Sequence, residues 1–444
     1  MSDFELVRVL PSHPHFETLF QQAMAVFCRE RQATPHSRVF SQLSTLWLDE
    51  ATDFASADCQ TRSPGTGDPA LPESLAERWR QALVLNPSGG ALNPGCFWLA
   101  RRKGYSDKLD KVPLLGVLLG VPCQVVGTSR TLPGHWGVDL YVPPSVRGQG
   151  IGEALLMAWR DSSPLALGLG ITASAFRLEQ KLGWTVVPLP PQLRLPLSPV
   201  GLAGVLAQQL RAVAGAAESP RARARAGAEA LRRTLEKALQ GSGGTAPHTE
   251  EPSAGARGGA VAPLMPTPVE ALALAYQRTR PALGLHLERN AAVLAFMYAS
   301  HLGFQGFALP ESGDGVVLRP ERRGGVLRWW LYELFWDAAE PASLDRLVAS
   351  VIHKARQERV DVLGLRCTLP PLRHALLSRG FVEVGAPERF IVHRAEACGP
   401  LDERMAPDRE TPPDRVSLDW HLTLGDSGNR ASVPRGRRGP GSPS

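Results

Sequence analysis

The stretch that most constrains this chain is VDLYVPPSVRGQGIGEALLMAWRD, residues 138–161. It joins an apolar, strand-like run to an amphipathic run through two prolines, an arginine and three glycines. The spacing predicts a helix from 151, with Ile151, Leu155, Ala158 and Trp159 on one stripe and Pro164 soon after its end. The first turn of a helix carries N–H groups without intrahelical acceptors, and the helix dipole adds positive potential there. Glycines at 148, 150 and 152 remove Cβ atoms and permit positive φ where the chain curls. Arg147 adds a guanidinium able to grip an anion at two points. These features together predict a diphosphate site.

Spacing limits which diphosphate. A dinucleotide fingerprint requires G-x-G-x-x-G, but counted from Gly148 the third position is Glu153, and counted from Gly150 it is Leu155. The phosphate loop G-x-x-x-x-G-K-[ST] is missing as well. What remains is R-x-x-G-x-G, formed by Arg147, Gly150 and Gly152.

That order, between an apolar strand and an amphipathic helix, resembles the acetyl-CoA-binding motif of the GNAT acyltransferase superfamily. A second segment, SAFRLEQKLGWTVV, is similar to the helix and strand that follow the family's fifth strand, usually ending in Leu-Gly-Phe. The resemblance covers residues 1–200 and implies a GNAT fold: α/β or α+β, a mixed and mostly antiparallel sheet with helices on both faces. It implies that Arg147 and the amides of Gly148, Gln149, Gly150, Ile151 and Gly152 hold the pyrophosphate of acetyl-CoA or another short acyl-CoA. The main chain of Leu140, Tyr141 and Val142 would pair with the pantetheine arm. The implied activity is N-acyl transfer to an amine acceptor, a small molecule or a peptide, by direct attack in a ternary complex. The alternative is a non-catalytic acyl-CoA-binding, sensing or scaffold protein.

Transfer to an amine needs a neutral nucleophile and a proton for the departing thiolate. An alkyl ammonium ionises near pH 10, as lysine does at about 10.4, so a base must collect a proton directly or through water. Strand alternation places His135, Gly137, Asp139 and Tyr141 on one face, which makes Asp139 the first candidate for base and His135 the second. The family often carries a tyrosine, acting as acid, three residues before the Leu-Gly-aromatic triplet. Glu179 stands there in this chain. An ionised carboxylate cannot donate, so Glu179 would serve only with a raised pKa or through water, and otherwise reads as a solvated helix residue. Tyr141 is the substitute donor. No Cys or Ser lies in a nucleophile motif.

At 444 residues the chain exceeds one ordinary core. The reading is a first domain over 1–200, an Ala/Arg-rich helical and low-complexity linker over 201–265, a second domain over 266–430, and a basic tail over 431–444. The order of elements in the second domain, and the match of KLGWTVV with SRGFVEV, point to a diverged internal repeat. No glycine occurs between Gly325 and Gly364, and the connector DAAEPA carries Asp337 and Glu340. The second copy is therefore expected to have lost cofactor binding, and to shape the acceptor site or mediate association. His421 and Asp426 near its end read as packing or turn residues.

The formal charge of +6 arises from 49 basic against 43 acidic residues, a mild excess that calls for no nucleic-acid partner. The cluster Arg221, Arg223 and Arg225 has no aromatic neighbours for stacking bases and reads as a solvated helix face. Cys28, Cys59, Cys96, Cys123, Cys367 and Cys398 are scattered without CxxC spacing, so neither a metal site nor a disulfide framework is expected. The start lacks the pattern of a signal peptide, and VPLLGVLLGVPCQVVG is too short and broken to span a bilayer, so no membrane contact and a cytoplasmic location are expected.

Overall fold

The computed structural model describes residues 3–33, 79–90, 93–104, 113–127, 130–169, 172–216, 228–229, 232, 236, 261–385, 388–395 and 421–422. The arginine cluster at 221–225, Asp426 and the tail over 431–444 lie outside the described residues.

In chain order the first elements are β1 (Phe4–Val9), α1 (Phe16–Ala33), β2 (Cys96–Arg102), β3 (Leu114–Val126), β4 (Thr131–Tyr141), α2 (Ile151–Arg160), β5 (Leu165–Leu169), α3 (Ala173–Lys181) and β6 (Thr185–Leu189). Then come β7 (Gln192–Pro196), α4 (Pro199–Ala216), β8 (Met265–Thr267), α5 (Ala273–Thr279), β9 (His286–Leu287), α6 (Ala291–Met297) and β10 (Gln305–Ala308). The last are β11 (Gly315–Arg323), β12 (Val326–Phe335), α7 (Ser343–Gln357), β13 (Val362–Leu365), α8 (Pro370–Leu377), β14 (Val382–Val384) and β15 (Glu388–Arg394). The run LLGVLLGVPCQVV forms the single strand β3, whose antiparallel pairing with β4 runs from Val117 to Val126 across one bulge.

The chain divides into two compact units, residues 1–188 with 389–418, and residues 189–388 with 419–444. In the first, the strands run in the order β1-β2-β3-β4-β5-β15-β6. The pairs from β1 to β4 are antiparallel, β4 and β5 are parallel, and β15 runs antiparallel to β5. Helices cover both faces. Phe97 of β2 meets Phe16 and Phe20 of α1, with ring centroids 5.8 and 6.3 Å apart. Its neighbours Cys96, Trp98 and Ala100 turn the other way and pack with Ile151, Leu155, Leu156 and Trp159 of α2. The apolar stripe expected on α2 is thus the face that seals this core.

The second unit repeats the same order of strand positions, β8-β10-β11-β12-β13-β7-β14, again with one parallel pair, β12–β13. The sheets differ in where one strand comes from. The place taken by β15 in the first sheet is taken in the second by β7, whose Leu193 pairs with Leu365 and whose Arg194 pairs with both Gly364 and Val382. The division therefore falls at 188/189 rather than near 200, and the segment after β14 returns to the first unit. Local pattern identifies β7 and β15 as strands but carries no mark of which sheet they complete. No helix among the described residues is long and apolar enough to cross a membrane.

Candidate functional site

The parallel ladder between β4 and β5 has three pairs, ending at Trp136↔Leu167. Both strands continue past that point along their other neighbours: β4 with β3 as far as Val117↔Tyr141, and β5 with β15 through Gly168↔Ile391 and Leu169↔Phe390. The sheet therefore forks. Beyond Trp136↔Leu167 the β4–β5 ladder stops, and the two strands part inside the sheet.

A bulge on β4 sits inside the fork. The register steps from Leu119↔Val138 to Val117↔Tyr141, so β4 holds one residue more than β3 over this interval. Asp139 absorbs it with φ of 55°, a left-handed conformation that Asp tolerates better than most residues. The bulge overturns the simple alternation. His135 lies edge-on to Trp98, and Gly137 lies against Trp159, both on the α2 side. Leu140 and Val142 also pack on the α2 cluster, whereas the Asp139 carboxylate turns toward the α1 side. There Trp79 donates its indole N–H to Asp139 Oδ2 at 2.8 Å, and the Trp79 ring meets Phe20 of α1 edge to face. Trp79 is 2% exposed. It falls in a stretch with no periodic signal, and nothing in the sequence marks it.

After β4, a single turn over Pro144–Val146 leads to the glycine loop. Gly148 and Gly150 have φ of 82° and 80°, and a Cβ at either would meet nothing within 4 Å. Gly150 is the N-cap of α2 and offers no side chain to its first amides. The loop is thus an exposed, bare-backbone cradle at a helix start, the geometry that suits phosphate oxygens. Arg147 donates Nε to the carbonyl of Val142 at 2.9 Å, tying the loop to the end of β4. Glu153, in the first turn of α2, would compete with an anion, but it pairs with Lys181 of α3 at 3.2 Å. Gly152 lies near Val142 and Leu178, so α3 flanks the head of α2.

Glu179 of α3 is 3% exposed, which corrects its reading as a solvated helix residue. Its Oε2 has no hydrogen-bond partner, and burial pushes its pKa up to about 8. Near neutral pH it is largely protonated, so it can donate. His135 is 1% exposed, with Nε2 3.1 Å from the carbonyl of Pro94 and Nδ1 3.3 Å from Ser162 Oγ. Burial pushes its pKa down to about 4, and both nitrogens are engaged, so it is a packed neutral imidazole rather than a second base. Cys96 and Cys367 are buried, with burial pushing their thiols up to about 11 and about 12, outside the range of a nucleophilic thiolate.

In the second unit the connector leading into α7 is tied down by the protein's own carboxylates. The Asp337 amide donates to Asp314 Oδ1 at 3.1 Å, the Ala339 amide to Asp337 Oδ1 at 2.8 Å, and Ser343 Oγ to Asp314 Oδ2 at 2.6 Å. Glu340 pairs with Arg346. His421 is buried, its amide donating to the carbonyl of Leu285 at 2.7 Å.

No protein-family model matches the chain, and no curated protein matches its sequence. Among solved structures the chain is similar to a GCN5-related N-acetyltransferase from Anabaena variabilis ATCC 29413, at 10% identity over 87% of this chain and 72% of that one, with a TM-score of 0.46. It is similar to a GCN5-related N-acetyltransferase from Kribbella flavida, at 10% identity over 89% and 72%, with a TM-score of 0.45. It is also similar to Eis1 from Mycobacterium abscessus, at 15% identity over 72% and 70%, with a TM-score of 0.40. The solved neighbours of this mixed α/β chain, with its two mostly antiparallel sheets, are thus N-acetyltransferases of the GCN5-related kind and Eis1.

Proposed function

We propose that the first unit transfers an acetyl or other short acyl group from CoA to an amine, on a small molecule or a peptide. The observation that carries this reading is the fork: β4, where it parts from β5, leads directly into a glycine cradle at the head of α2. An amide-rich arm ending in a diphosphate matches both parts in order. The amides of Gly148 to Gly152 and the guanidinium of Arg147 bind the diphosphate, and the main chain of Leu140, Tyr141 and Val142 pairs with the arm. Bound acyl-CoA supplies an acyl group activated as a thioester.

Asp139 and Glu179 divide the proton work. Asp139, on the α1 side of β4, takes a proton from the incoming ammonium, directly or through water. The neutral amine nitrogen attacks the thioester carbonyl, the C–N bond forms and the C–S bond breaks. Glu179, on α3 and protonated near neutral pH, gives its proton to the sulfur. The second proton on the nitrogen leaves to water. Tyr141 is an alternative donor to the sulfur.

Calorimetry with CoA tests the donor site. Wild type should bind, and Gly150→Glu should not, because the substitution forces a side chain into a left-handed position and sets a carboxylate against the phosphates. No binding by wild type would overturn the reading. Thiol release with a panel of amines tests the chemistry. Tight CoA binding without turnover on any amine would favour an acyl-CoA sensor, a reading supported by a carboxyl at 179 where the resembled family often has a phenol.

A further inference from the structure

We propose that Lys181 keeps the glycine loop open to its ligand by holding Glu153 away from it. This rests on the donor site proposed above. Glu153 is the third residue of α2, the position from which a glutamate ordinarily reaches back to cap the first amides of its own helix. The helix dipole favours a negative charge at the same place. Gly150, the N-cap, offers no side chain that could take those amides instead. Turned back, the Glu153 carboxylate would fill part of the cradle that a diphosphate needs, and would repel the ligand's charge as well.

The carboxylate is turned to α3 instead. Lys181 Nζ lies 3.2 Å from one Glu153 oxygen and 3.3 Å from the other, so a single ammonium engages both. The packing of α3 sets where that ammonium stands. Thr172 caps the start of α3 by accepting from the Ala175 amide at 3.2 Å, and Phe176, Leu178 and Leu182 pack on the α2 core. A Cβ on Gly152 would lie 4.0 Å from Leu178 Cδ2, so α3 passes close beside the head of α2. Lys181 follows Leu178 by one turn and falls on the same side. The Lys181 side chain is 68% exposed and that of Glu153 36%, and a pair so open to water adds little to stability. Its consequence falls on the neighbouring loop, where it offsets a like charge and restrains an internal competitor.

The test is a double-mutant cycle on the full chain, read by calorimetry with CoA. Lys181→Ala should weaken CoA by about 3- to 10-fold, the size of a charge effect at a helix start. Glu153→Ala should bind at least as tightly as wild type, and in that background Lys181→Ala should change the affinity by less than about twofold. Lys181→Arg, which keeps the ion pair, should bind as wild type does. Circular dichroism checks that each variant is folded. Unchanged or tighter binding by Lys181→Ala would overturn the proposal. An equal loss with and without Glu153 would overturn it too, by placing the lysine on the ligand itself. Failure of wild type to bind CoA would instead overturn the donor site and, with it, this proposal.

Discussion

The indole N–H of Trp79 meets the carboxylate of Asp139 at 2.8 Å, joining residues 60 positions apart across the α1 side of the sheet. Its neighbour Arg80 is anchored to α1, pairing with Glu17 at 2.6 Å and lying over the Phe20 ring. Trp79 therefore holds the proposed base from a segment remote in sequence from the glycine loop. Trp79→Phe keeps most of the ring and removes the donor. Turnover should fall about tenfold, with CoA affinity unchanged and stability lowered by about 1 kcal/mol. Steady-state kinetics, calorimetry and thermal melting read the three effects.

Glu179 makes stability depend on pH in an unusual direction. Its pKa rises from an ordinary 4.5 to about 8 because burial penalises the charged form. Below pH 4.5 the carboxyl is protonated in both folded and unfolded chains, and its contribution is fully present. As pH rises toward 8 the unfolded chain loses the proton first, so stability falls, by up to about 1.4 kcal/mol per pH unit, and then levels off. Glu179→Gln has no such proton. Melting curves from pH 4.5 to 9 should show the variant gaining on wild type up to about pH 8 and running parallel above.

The same substitution separates stability from chemistry. Glu179→Gln should bind CoA as wild type does while losing about 100-fold or more in turnover. Wild-type turnover should itself decline above about pH 8 as the acid ionises. A variant with full turnover would assign the proton to Tyr141 or to water.

Arg147 has two tasks, bracing the loop through Val142 and presenting charge to the ligand. Arg147→Ala should weaken CoA by about 1.5–3 kcal/mol, the range for a hydrogen bond to a charged group. The remaining affinity should also depend less on salt, which isothermal titrations at two ionic strengths would show.

The exchange of β7 and β15 predicts how fragments behave. Residues 1–200 lack β15, and residues 201–444 lack β7, so each leaves empty the strand position next to one edge of its sheet. Each fragment alone should be insoluble or unfolded by circular dichroism. A chain cut in the Gly- and Ser-rich run after residue 240 keeps both strands with their sheets and should stay folded.

How far the sequence could be read follows from what each feature depends on. The glycine loop, the stripe of α2 and the helix carrying Glu179 depend on neighbours within a few residues, and all stand where periodicity and spacing put them. The face of Asp139 depends on one extra residue in a strand, and no residue in VDLY announces a bulge. The burial of Glu179 depends on tertiary packing, which overrides its polar character. Trp79 and β15 reach their partners across 60 and more than 200 residues, beyond any local pattern. Gly137 and Gly168 were visible as glycines inside strands, a mark of close approach, though not of what approaches.

The returning strand also sets a timetable. Leu169 of β5 pairs with Phe390, 221 residues later, and a ribosome adding about 5–20 residues per second needs about 10–45 s to make that interval. Throughout that time the nascent first sheet stands open on the far side of β5, next to the strand that borders the fork, while β7 already waits for partners not yet made. Neither half can close before almost the whole chain has left the ribosome, so during synthesis this protein depends on whatever shields an exposed strand edge.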